Sequence, residues 1–428
     1  MTRLNRSQTP EIKDITKIDF ILPEKWELTN GVPVWGLKAG SQELVKIDFI
    51  FDAGSWYQTE NLVAGLANAF MSQGSKNFSA QEIAETFDFR GAYLQLTADQ
   101  QFGNISVLTL TKYLDDILRV TSDVIKNPSF PKKEIKVQIA KRKQQFIIEN
   151  NKVKTLAHKR FTQVIFGENH PYANTNIGAD FDSLTRDKLI AFHAKNYRLD
   201  HCRIVIAGNY DDSIKVLLDR YFGDTIEASV NIEPKHTPQP NEKKKHFVEK
   251  PDAVQSAIRI GKRVINREHP DFHGLTVLTT ILGGYFGSRL MTNVREDKGY
   301  TYGINASIVT FPHEAYFNVM TEVGTEVCAE ATTEIFAEIK RLIDEPVTIN
   351  ELEIVRNYLL GDMLRNFDGV FALSNSLKTL IESGLDYSHY QRYIEELRSI
   401  APDKIQQLAA THLAIDDIYE VVSGKRIR

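Results

Sequence analysis

The 428-residue chain predicts an α+β fold made of two homologous α/β sandwich domains. Three observations lead there. Hydrophobic patterning breaks near the middle of the chain. The same order of strands and helices runs on both sides of the break. In each half a long helical stretch is interrupted by an Asn-Pro or Glu-Pro step at the matching point.

The break is residues 226–247, IEASVNIEPKHTPQPNEKKKHF, whose prolines and lysine triplet read as a linker. It separates residues 1–225 from residues 248–428. In the first half LVKIDFIFDAG (44–54) reads as a strand and NLVAGLANAFMSQGS (61–75) as an amphipathic helix. At 100° per residue Leu62, Val63, Leu66, Ala67 and Phe70 share one arc and face the core. Gly65, Asn68 and Ala69 fall opposite, at i, i+3 and i+4, a spacing that presents three side chains to one point. A short helix over 79–91 follows, with Ser79 as its N-cap. Two alternating strands, AYLQLTAD and NISVLTL, come next. A helical stretch then starts near Leu114, breaks at 126–134 and resumes to about Asn150.

The second half repeats this order. SAIRIGKRV (256–264) reads as a strand and FHGLTVLTTILGG (272–284) as a helix. SRLMTNVREDKG (288–299) and the strands YTYGINASIV and AYFNVMTEV follow. A helix from Glu326 breaks at 343–351 and resumes to about Asn366. Two such domains enclose a cleft between them.

Composition narrows the class. Hydrophobic and charged contents of 42% and 25% are those of an ordinary globular protein, and a net charge of −4 argues against a nucleic-acid partner. Two distant cysteines, Cys202 and Cys328, exclude a disulfide framework and a four-thiolate zinc site and fit a reducing compartment. The first residues carry no apolar signal core and no run reaches membrane-spanning length. The expectation is a cytoplasmic protein with no membrane partner.

Candidate metal ligands are few. His269 and His273 stand at i, i+4, but Pro270 starts a helix between them and spoils the geometry. His158 and His170 read as surface or loop residues. No nucleophile elbow, P-loop or dinucleotide fingerprint is present, and the glycines of LGGYFGS follow a helix, which weakens a phosphate-cradle reading.

Two stretches carry a resemblance. Residues 61–75 look like the first-domain active-site helix of the pitrilysin/insulinase family, which includes the mitochondrial processing peptidases and uses an inverted zinc motif, H-x-x-E-H. Aligned on Gly74 and Ser75, the two histidine positions hold Gly65 and Ala69, and the glutamate position holds Asn68. A second register, aligned on Gly65-Leu66-Ala67, places Asn68, Met71 and Ser72 at those positions. Neither register supplies a zinc site, and the chain is expected to hold no metal or other cofactor. The resemblance makes Glu149 the nearest equivalent of the third ligand, although its residue type alone reads as a solvated helix acid.

The second stretch is LGGYFGSRLMTNVREDKGYTYGI (282–304). It resembles the second-domain signature of the same family at Gly283, Gly284, Ser288, Arg289, Leu290, Arg295, Glu296, Gly299 and Tyr302; Tyr300 departs from it. The resemblance implies a LuxS/MPP-like metallohydrolase fold forming half of a clamshell. It also implies that Arg295 and Tyr302 bind substrate backbone and the oxyanion, as preorganised donors can. The bland alternative pairs Arg295 with Glu296 or Asp297 and packs Tyr302 in a strand.

By this resemblance the chain is the non-catalytic subunit of a heterodimeric zinc peptidase, inactive alone. A zinc-bearing paralogous partner would supply the metal, and an unfolded peptide would be the substrate. Self-pairing is the alternative assembly when the chain is alone. The alternative function is a peptide-binding or scaffold protein related to respiratory-complex core subunits, with no role in proteolysis.

Overall fold

The computed structural model describes Ile15, Ile18, Phe20 and residues 21–173, 175–225 and 233–426. Two mixed sheets organise it. The first holds β1 (Glu24–Glu27), β2 (Pro33–Lys38), β3 (Leu44–Phe51), β4 (Tyr93–Ala98), β5 (Gly103–Leu110) and β6 (Cys202–Gly208), in the order β1-β2-β6-β3-β5-β4. The second holds β7 (Lys245–Glu249), β8 (Gln255–Val264), β9 (Thr301–Thr310), β10 (Ala315–Gly324) and β11 (Tyr419–Gly424), in the order β7-β11-β8-β10-β9.

Leaving β1 aside, the two orders are the same. Each sheet has one parallel pair, β2 with β6 and β7 with β11, and the remaining neighbours are antiparallel. The duplication read from the sequence is therefore a duplication of topology. The expected helices stand at Val63–Phe70, Ala80–Phe89, Leu114–Lys126, Lys132–Glu149, Phe272–Thr279, Cys328–Asp344 and Ile349–Asn366. Ser79 caps the second of these in a reciprocal capping box with Glu82. The 272–284 helix widens to π geometry over Thr280–Gly284, and a second π segment covers Met291–Asp297. His269 lies in the turn before Phe272, where its Nδ1 accepts the Asp271 amide.

The halves exchange helices. Val153–Phe166 follows the long helix of the first half, yet packs on β8 and β11 of the second sheet. Ala157, Phe161 and Ile165, four residues apart, are fully buried there. Val370–Glu382 holds the matching place in the second half and packs on β2 and β6. Its Leu373, Leu377 and Leu380 form one core with Leu37, Ile50, Val205 and Ala207.

Of the 226–247 linker, residues 226–232 lie outside the described ones. Residues 233–244 are irregular but anchored. Trp56 Nε1 donates to the Pro234 carbonyl at 3.1 Å, and the Gln239 and Asn241 amides donate to Phe166 and Val164. The linker was expected to run to Phe247. Residues 245–247 instead open β7, because their backbone groups pair with the parallel strand β11. Among the described residues no helix is long and apolar enough to cross a membrane.

Candidate functional site

Two clefts carry the residues singled out in the sequence. The first lies between the Val63–Phe70 helix, the edge strand β4 and the Lys132–Glu149 helix, with a volume of about 530 Å³. Gly65, Asn68 and Ala69 all line it, as their helical spacing requires. The helix entry is unusual: Leu62 takes φ +70°, a left-handed conformation that non-glycine residues rarely adopt. Gly65 faces open space, with nothing within 4 Å of a would-be Cβ.

Asn68 has turned inward to serve the core. It is 1% exposed, and its amide donates to the Tyr197 hydroxyl at 2.9 Å and to the Asn104 carbonyl at 3.4 Å. Its Oδ1 has no hydrogen-bond partner among the described residues. The cleft's third wall brings Arg142 and Gln145. The Arg142 guanidinium sits 5.6 Å from the Phe70 ring, and burial draws its pKa below the ordinary arginine range. Where a zinc site needs converging imidazoles and carboxylates, the helix face offers an amide and two positions without functional groups, Arg142 adds a cation, and Asp99 is the single carboxylate among the lining residues, with no imidazole or thiol beside it. Arg142 and Gln145 were not legible in the sequence. Only the angle between the two helices brings them to this cleft.

The second cleft, about 620 Å³, belongs to the second half and is lined by Arg295 and Tyr302 together with Lys154, Arg259 and Glu322. The π segment Met291–Asp297 carries Arg295, and β9 carries Tyr302. The Arg295 guanidinium lies 5.3 Å from the Tyr302 ring and 4.8 Å from that of Phe286. Tyr302 is 92% exposed. Arg295 therefore stacks on two rings, and among the described residues it has no carboxylate partner, neither Glu296 nor Asp297. The other signature residues build the platform. A Cβ on Gly283 would approach the Ala306 amide nitrogen to 2.6 Å, so only glycine lets the helix lie this close to β9. Arg289 is bidentate to Glu351, at 2.8 and 2.9 Å, which ties the turn just before the π segment to the Ile349–Asn366 helix. Gly299 turns the chain at φ +66°. The two clefts share no lining residue, so the chain does not bring Arg295 and Tyr302 to its own Gly65 cleft.

Comparison with known proteins identifies this geometry. Residues 37–175 match the description Insulinase (Peptidase family M16), and residues 183–359 match Peptidase M16 inactive domain. The chain belongs to peptidase family M16. Its relatives in the family include an uncharacterized zinc protease YmxG of Bacillus subtilis, 22% identical over 90% of this chain and 94% of that protein. Another is a non-peptidase homolog YmxG of Helicobacter pylori, 23% identical over 89% of each chain. A Pseudomonas fluorescens structure described as a peptidase M16 inactive domain superposes with a TM-score of 0.85, at 21% identity, over 95% of this chain and 98% of its own.

This M16 chain has no group of three or more His, Cys, Asp and Glu side chains, among the described residues, that could hold a metal. Gly65, Asn68 and Ala69 line the cleft together, whereas Met71 is fully buried and neither it nor Ser72 is among the lining residues. Glu149 does not join the cleft. It sits a turn beyond Gln145 and pairs with Lys152 at 2.6 Å on the exposed helix end. His170 is a buried residue rather than a surface one: it is 5% exposed and stacked 5.2 Å from Phe166. His158 is partly buried, and its Nδ1 has no hydrogen-bond partner among the described residues. Burial pushes both histidines down to about 4.

Proposed function

We propose that this chain is the zinc-less subunit of a heterodimeric M16 peptidase, lending half of the peptide chamber and the Arg295–Tyr302 pair to a zinc-bearing paralogous partner. The observation that carries the reading is the half-buried Arg295 guanidinium against the exposed Tyr302 phenol, in a cleft separate from the one lined by Gly65, Asn68 and Ala69. A group intended for the chain's own chemistry would face its own cleft. The substrate in this reading is an unfolded peptide. β4 and β9 are sheet edges with free backbone groups, and β4 also lines the first cleft, so a peptide can add there as a strand. The pair would work in the cytoplasm, where the two free cysteines stay reduced.

The test is reconstitution with a candidate partner that carries H-x-x-E-H, using an oligopeptide assay. Arg295→Ala and Tyr302→Phe should each lower turnover by about 10²–10³-fold, the range for losing one oxyanion donor. The partner's zinc content should not change. Full activity in both variants would remove the assigned role in trans. The second reading, a binding or scaffold protein without proteolysis, is favoured by the Helicobacter pylori relative, which is described as a non-peptidase homolog. It predicts peptide binding by the assembled pair with no cleavage under any metal condition.

A further inference from the structure

The second half contains a cavity where the first half has its ligand-free cleft. It lies between the 272–284 helical segment, the edge strand β9 and the Ile349–Asn366 helix, and is closed by the Ser388–Ser399 helix. Its volume is about 360 Å³, within the range of small-molecule sites. Thr276 and Thr280 line it from the helix, but their hydroxyls already donate to backbone carbonyls. Three other lining residues bring ring and guanidinium nitrogens.

Arg267 lines the cavity. Its Nε donates to Thr310 Oγ1 at 2.9 Å, and among the described residues no carboxylate pairs with the guanidinium. His273 and His389 are 8% and 3% exposed, with ring centroids 4.5 Å apart. Neither imidazole has a hydrogen-bond partner among the described residues, and His389 Nδ1 is wholly buried. Burial, reinforced by Arg267 and Arg392, pushes both down to about 4, so each is a neutral N–H donor at pH 7. The one acid in the lining, Asp362, is engaged by Arg365 and Asn366. Phe272, Tyr358, Tyr390 and Tyr393 supply aromatic wall, while β9 brings Asn305, Ala306, Ser307 and Ile308. A desolvated cation beside two unpaired imidazoles is costly unless an anion satisfies them. Ring walls add affinity for a flat apolar body.

We propose that this cavity binds a small aromatic carboxylate, its carboxylate on Arg267, His273 and His389 and its ring among the tyrosines. The same chemistry is offered by a free metabolite and by a peptide ending in an aromatic residue. The full-length chain should be titrated calorimetrically with benzoate and phenylacetate, with benzamide and inorganic phosphate as controls. A peptide ending in Phe should be tested as free acid and as amide. The expected result is saturable one-to-one binding of an aromatic carboxylate, weakened at least about tenfold in benzamide and in phosphate, the loss that accompanies one missing charged hydrogen bond. Binding of the free-acid peptide but not its amide assigns the ligand to a peptide terminus. Binding of benzoate or phenylacetate without the peptide assigns it to a free molecule. Arg267→Gln and His389→Phe should each cost a similar factor. In the wild-type chain, the histidine ring signals that move in NMR should be those of His273 and His389. The proposal is overturned if no aromatic carboxylate saturates, if phosphate or benzamide binds as well, or if the moving histidine signals lie elsewhere. None of these readouts depends on a peptidase partner.

Discussion

Gly65 and Ala69 occupy the i and i+4 positions of a helix face that looks into a cleft, and no atom stands in the way at Gly65. What the site lacks is donor chemistry, not space. Arg142 adds a further obstacle, because a guanidinium on the cleft wall repels a dication. Gln145, on the same wall, stands where a carboxylate would complete a three-ligand set. The combined variant Gly65→His, Ala69→His, Gln145→Glu is therefore expected to bind zinc at least about tenfold more tightly than the native chain, by competition with a chromogenic chelator. Adding Arg142→Gln should tighten it further. Equal affinity in the triple variant and the native chain would mean that the three positions do not converge on one point.

At the scale of elements, the helix exchange matters more than any single strand. Val153–Phe166 and Val370–Glu382 each place an apolar stripe on the sheet of the opposite half, so neither sheet is covered by its own half alone. Phe161 also meets Tyr316 edge-on, with centroids 5.7 Å apart. Leu377→Ala should destabilise the chain by about 2–5 kcal/mol. Both halves should still unfold together in urea, monitored by far-UV dichroism and by tryptophan emission, which comes from Trp26, Trp35 and Trp56, all in the first half. Two separated transitions would show that the exchanged helices do not couple the halves.

For the whole molecule, buried neutral histidines set a pH dependence. His158, His170, His273 and His389 are each pushed down to about 4, chiefly by burial. Unfolded, each takes a proton near pH 6.5. Between pH 6.5 and 4 the unfolded state therefore binds more protons than the native state, and stability falls as pH is lowered through that window. The slope is up to about 1.4 kcal/mol per pH unit for each histidine, and below pH 4 these groups add no further loss. Urea midpoints measured from pH 7 to 4 should decline accordingly, and His170→Phe should make the decline shallower. A flat profile would show that these imidazoles are hydrated in the native state.

The repeat, half of the α-helices among the described residues and the meander strands were legible because each follows from local periodicity and from signals such as the Ser79 cap. The signature glycines and Arg295 were legible as a pattern. β1, β2, β6, β7 and β11 were not, since short, weakly alternating segments such as EKWE and KHFVE acquire strand character only from a neighbour. His170 was misjudged for a related reason: its burial comes from Phe166, Trp56 and Tyr172 closing around it, and a single loop residue does not announce its neighbours. The sequence by itself determined which chemical groups exist: a helix face without metal ligands, and a guanidinium and a phenol seven residues apart. Only the tertiary structure decided where those groups point. It swung Asn68 onto Tyr197, put Arg142 in that cleft, left Glu149 outside it and set Arg295 and Tyr302 in a separate one. Side-chain direction at a helix crossing depends on contacts between residues far apart in the chain, and no local pattern encodes them.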